Sequence, residues 1–133
     1  MHKKKLNIET SMEEQLCKWI LRIAEQEQVP PDIIAFNFGM FESENGYTVY
    51  LIGSKEYDAN DDDWTCNEDF EPKEKDLELS CQHVRDMAWE EFQNSVILTI
   101  ADCIGNADEH SAKLFGNRII TAGFDDGNLT RIK

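Results

Sequence analysis

Two apolar stretches on either side of a turn signal constrain this chain most. Residues 33–41 (Ile-Ile-Ala-Phe-Asn-Phe-Gly-Met-Phe) and 47–53 (Tyr-Thr-Val-Tyr-Leu-Ile-Gly) flank Asn45-Gly46. Aromatic and β-branched side chains suit a pleated, half-buried surface, and Asn-Gly supplies the positive φ angles of a two-residue hairpin turn. The pair is therefore expected to form a β-hairpin. A hairpin wet on one side alternates apolar and polar residues, but here both faces are apolar. The strands must either lie at the centre of a sheet or have one face covered by something beyond the first helix.

Helical periodicity lies on both sides of this hairpin. Met12, Leu16, Trp19, Ile20 and Ile23 recur at spacings of three and four, which puts them on one helix face. Ser11-Met12-Glu13-Glu14 fits a capping box, with Thr10 to Glu13 as the alternative register. Pro30-Pro31 stops the helix because proline lacks the backbone donor, so it is expected over 11–28. A second helix is expected over 83–104, with Trp89, Phe92, Val96, Ile100 and Cys103 as its core stripe and Gly105-Asn106 as its C-cap. Asp76 to Ser80 reads as a short strand, Asp108 to Leu114 as a short helix, and Arg118 to Phe124 and Leu129 to Ile132 as the last two strands.

The order α-ββ-loop-α-ββ predicts an α+β domain over residues 1–133, an antiparallel sheet of four or five strands with two main helices on one face. Trp19, Trp89 and Phe92 should meet Phe36, Phe38, Val49, Leu51 and Ile120.

Charge narrows the partners. The chain of 133 residues has 13 Lys and Arg against 27 Asp and Glu, a net charge of −14. Phosphate binding needs cations to replace counterions, and anionic membranes attract basic segments, so neither nucleic acid nor a membrane is an expected partner. No apolar run approaches the roughly 18 residues of a spanning helix. The basic start, Met1 to Lys5, leads into no apolar stretch, so it does not read as a secretory signal. The four cysteines form no CxxC pair, which with the missing signal points to a reducing, cytoplasmic setting. Cys17 and Cys103 read as core residues. Cys66 and Cys81-x-His83 make only one weak ligand pair, where a structural zinc needs four ligands. No metal and no cofactor is expected.

Seven of the 27 acidic residues sit in one segment free of cations. Tyr57 to Glu71 contains Asp58, Asp61, Asp62, Asp63, Glu68, Asp69 and Glu71 with no Lys or Arg, interleaved with Tyr57, Trp64 and Phe70. It shows neither period, so it reads as a long loop, of the kind that is commonly functional or disordered. Asp58-Ala-Asn60-Asp-Asp62 opens like an EF-hand, but Asp63 stands where that loop needs Gly, Asp69 where it needs Glu, and a strand precedes it. The loop carboxylates look equivalent and solvated, whereas acid–base work needs two different environments. His2, His83 and His110 complete no recognisable site. The plain alternative is a loop that only keeps the protein soluble. The binding alternative has carboxylates steering a cationic partner, with Tyr57, Trp64 and Phe70 as apolar anchors; Trp64 could instead fold inward and pin the loop.

The stretch from Tyr50 to Trp64, the following Cys66-Asn-Glu-Asp-Phe-Glu-Pro72 and the late Gly123-Phe-Asp-Asp-Gly127 resemble bacterial immunity proteins of polymorphic toxin systems. The resemblance is confined to these stretches and carries no catalytic signature. It implies a cytoplasmic, non-enzymatic α+β protein that occludes a cognate toxin domain, a basic protein in this case. Two alternatives stand beside it. One is a small metal-dependent hydrolase using the loop carboxylates with Asp108, Glu109 or His110; the other is a regulatory subunit that self-associates as a homodimer through an uncovered sheet face.

Overall fold

The computed structural model describes residues 11–105 and 109–133, with side chains in the second stretch described from residue 112. Helix α1, Met12–Gln26, starts where Ser11 accepts a hydrogen bond from the Glu14 backbone N–H at 3.1 Å. Met12, Leu16, Trp19, Ile20 and Ile23 are all buried. The chain turns extended at Glu27, before the prolines.

Strands β1, Ala35–Ser43, and β2, Gly46–Ser54, pair antiparallel with Ser43 opposite Gly46. The two-residue turn is thus Glu44-Asn45, not Asn45-Gly46. The positive φ angles expected there are also absent, since among the described residues only Gly116 has one. Gly46 serves a different need. A Cβ on it would lie 2.1 Å from the Leu79 carbonyl oxygen, so the glycine lets the neighbouring strand β3, Asp76–Leu79, come close.

Helix α2, Gln82–Arg85, α3, Trp89–Gly105, and α4, Glu109–Phe115, follow, then strands β4, Ile119–Phe124, and β5, Thr130–Arg131. The expected helix over 83–104 is therefore two helices. The break is held by the Tyr47 hydroxyl, which donates to the Met87 carbonyl at 2.9 Å, while Met87 itself is buried. Phe92, Val96 and Ile100 keep the core face. Trp89 does not: it sits in the first turn after the break and is 52% exposed.

The sheet has five strands in the order β3-β2-β1-β4-β5, and the class is α+β as expected. It is mixed, however, because β1 and β4 run parallel. The stretch from β3 to β4 contains α2, α3 and α4, and a helical crossover of this length delivers the next strand in the same direction. Composition and periodicity report a strand's existence, not its direction, so an all-antiparallel sheet was the wrong expectation.

Pairing registers define two faces. Phe36, Phe38 and Met40 lie beside Leu51, Val49 and Ile120, Ala122 and Phe124. This face carries the helices, with Trp19 edge-on to Phe38 at 6.1 Å and Tyr47 stacked on Phe92 at 4.2 Å. Asn37, Gly39 and Phe41 share the other face with Ile52, Tyr50, Thr48, Thr121 and Gly123. Phe92→Ala should cost about 3–5 kcal/mol of a total near 5–15 kcal/mol, read as a collapse of the urea midpoint. A variant melting within a few degrees of the parent would contradict this packing.

Candidate functional site

The acidic segment is the cover of the second sheet face. It holds a short 3-10 turn, Asp62–Cys66, resting on β2. Asp62, Thr65 and Cys66 line a cleft together with Asn37 and Tyr50 of the sheet. Trp64 is only 4% exposed. Both alternatives raised by the hairpin's apolar faces hold: β1 and β2 lie inside the sheet, and a tryptophan on a carboxylate-rich strap is buried over part of its second face.

The three rings of the segment all face inward to some degree. Trp64 packs edge-on to Tyr57 at 5.3 Å. Tyr57, half-buried, lies beneath the Arg131 guanidinium at 5.6 Å. Phe70, also half-buried, leaves the strap for the helix side of the sheet, where it meets Phe36 at 6.3 Å. Its backbone exchanges hydrogen bonds of 2.9 and 3.0 Å with Gly53. The expectation that these rings fill a partner's pocket is therefore corrected for Trp64: burying it lowers the free energy of the fold by more than an exposed ring could, so it pins the strap.

The carboxylates remain exposed, and they divide into two sets. Asp58 accepts from the Asn60 N–H at 2.9 Å, and Asp61 caps the 3-10 turn by accepting from the Asp63 N–H at 3.0 Å. Asp69 accepts from the Lys55 N–H at 2.8 Å and closes the base of the strap. Glu68 pairs with Lys75 at 2.7 Å, and Glu71 adds a contact at 3.6 Å. The Lys75 hydrogen bond holds the Glu68 carboxyl below its ordinary range, and Glu68 in turn raises Lys75. Asp62 and Asp63 have no side-chain partner among the described residues. Glu56, Asp58, Asp61 and Asp63 line one open cleft of about 560 Å³ with Ile34 and Trp64.

Beside the strap, Tyr50 lies across Gly39, where a Cβ would come within 2.1 Å of the ring. Its hydroxyl donates to Asp125 at 2.5 Å, and the Lys75 ammonium stands 5.8 Å from its ring centre. Burial first, then the hydrogen bond to Asp125, pushes the Tyr50 phenol well above its usual value.

Among the described residues no group of three or more His, Cys, Asp or Glu is placed to hold a metal ion. Cys66 is exposed, Cys81 precedes α2 and His83 is exposed within it. Burial pushes the Cys103 thiol up to about 12, with Cys17 its neighbour, which suits a packing role. Asp108, and the side chains of Glu109 and His110, lie outside the described residues. Sequence reasoning missed Tyr50, Asp125 and Phe41; the first two come together across the sheet, which no local spacing reveals.

Two outcomes follow from this geometry. The Trp64 indole N–H is buried without a hydrogen-bond partner, so Trp64→Phe forfeits only packing and should destabilise less than Trp64→Ala, which should cost about 3–5 kcal/mol and speed amide exchange over residues 57–68. The Tyr50 phenol is raised in the folded state, so its contribution is whole below the unfolded value of about 10 and is lost as pH climbs beyond it. Tyr50→Phe should flatten that alkaline decline in a pH series of urea midpoints.

No protein-family model matches the chain, and no curated protein or solved structure matches it at a significant level.

Proposed function

We propose that the chain is a cytoplasmic, non-enzymatic binding protein that neutralises a basic partner, a toxin domain, by covering it with the acidic strap. The observation that carries this reading is the division of labour within the strap. Its rings hold it to the sheet while Asp58, Asp61, Asp62 and Asp63 stay exposed. Exposed charge on an already ordered segment binds without the ordering cost of a disordered loop. A net charge of −14 steers a cationic partner and raises its association rate. The resemblance of residues 50–72 to polymorphic-toxin immunity proteins supports the same reading and supplies the partner class.

The test is binding kinetics against basic toxin domains encoded in the same genome, first screened by rescue of growth on co-expression. Replacing Asp61, Asp62 and Asp63 together by Asn keeps a capping side chain at residue 61 and removes three charges. The variant should melt like the parent, associate about tenfold more slowly at low salt, and converge with the parent as salt rises. Unchanged association at low salt would remove the strap from the interface.

A further inference from the structure

A second surface has the apolar character that the strap lacks. At the carboxyl ends of the parallel strands β1 and β4 lies a groove of about 560 Å³, walled by Phe41, Tyr47, Trp89 and Phe124. Trp89 is 52% and Phe41 39% exposed, two of the four large apolar side chains left exposed among the described residues. Trp89 is also held in place. Its indole stands edge-on to Phe124 at 5.7 Å. Phe124 in turn packs on Tyr47 at 5.9 Å and on Phe92 at 6.3 Å. The exposed ring is thus the outer end of an aromatic stack rooted in the core. A rigid, half-desolvated tryptophan is the side chain most often found to dominate an interface.

The rim fixes the sign of what can enter. Glu42, Asp125 and Asp126 border the groove. Asp125 accepts the Tyr50 hydrogen bond, and none of the three has an ion-pair partner among the described residues. Burial, then Glu42 and Glu90, raise the Tyr47 phenol at the groove wall. An apolar floor bordered by carboxylates without cation partners complements an apolar side chain flanked by cations. A second copy of this chain is disfavoured there, since it would bring another net −14 against the same acidic rim.

We infer that this groove is a docking site for a segment of a basic protein in which an apolar side chain is flanked by lysine or arginine. The inference rests on the binding reading above and gives it an apolar contact, and it stands or falls on its own measurement. The probe is the amidated peptide Arg-Leu-Phe-Lys, titrated into the isotopically labelled full chain and followed by amide and indole resonances. The Trp89 indole reports on the groove, and the Trp19 and Trp64 indoles, both buried, are internal references.

Saturable shifts are expected at the Trp89 indole and at the Phe41 and Gly127 amides. Glu-Leu-Phe-Glu and Arg-Ser-Ser-Lys should bind at least tenfold more weakly, and Trp89→Ala should weaken Arg-Leu-Phe-Lys at least fivefold. If that variant folds poorly, Phe41→Ser should give the same loss. Equal binding of Arg-Ser-Ser-Lys would reduce the groove to general charge, and equal binding of Glu-Leu-Phe-Glu would reduce it to general apolarity; either overturns the inference. A Trp89 shift on concentrating the chain alone would give the groove to a second copy and overturn it too. Shifts confined to residues 58–63 would also overturn it, leaving the strap reading in place. Shifts at neither surface overturn the groove, while the association rates of the Asp→Asn variant judge the strap separately.

Discussion

A sheet that is apolar on both faces has to be covered twice, and everything distinctive in this protein follows from how the second cover is made. The helices α1, α3 and α4 supply the first in the ordinary way, through amphipathic faces laid on Phe36, Phe38 and Leu51. Among the described residues no helix covers the other face. A tryptophan on a 3-10 turn is buried over part of it, and the segment that carries it is richer in carboxylates than any other part of the chain. Hydrophobic burial and charge display therefore reside in the same short stretch. The ring inside determines where the carboxylates outside will be.

Among the described residues most cations are engaged in contacts within the chain. Lys18, Arg22, Lys55 and Lys75 pair with carboxylates of the chain. Arg118 donates to the carbonyls of Ile33, Leu114 and Pro30, and Arg131 lies over Tyr57. Exposed pairs of this kind add little stability. Their larger effect is on the field: with the basic groups drawn into internal contacts, Asp62, Asp63, Glu42 and Asp126 stand without compensation among the described residues. The acidic strap and the aromatic groove then lie in one continuous negative environment, joined through Asp125, which borders the groove and holds the Tyr50 hydroxyl beside the strap.

Much of the fold was legible because its signals are local. The capped helix over Met12–Gln26, the hairpin and the late strand pair each declare themselves within a dozen residues, through period, proline and β-branched content. That β1 and β2 are central in the sheet or covered on a second face was legible, since Ile52 and Ala35 lie on the face opposite Leu51 and Phe36. What covers it was open, because a tryptophan among aspartates satisfies a partner's pocket and the chain's own sheet equally well on paper. The direction of β4 was not legible: it depends on which end of the sheet the helical crossover returns to. Neither was the exposure of Trp89, whose spacing fits the stripe of Phe92, Val96 and Ile100. A hydrogen bond from Tyr47 to Met87, forty residues away, sits in the break between two helices, and the second helix begins at Trp89. Long-range contacts also decide Gly46, chosen for the approach of β3 and not for its turn.

The strap is closed at its base by a hydrogen bond between Asp69 and Lys55 and seated by Trp64, so its tip carries almost no duty toward the rest of the molecule. Asp62 and Asp63 can be exchanged for other side chains while the anchors below them stay fixed. Such an arrangement separates variation from integrity: a lineage descending from this chain can rewrite the tip's chemistry residue by residue without re-inventing the scaffold that presents it.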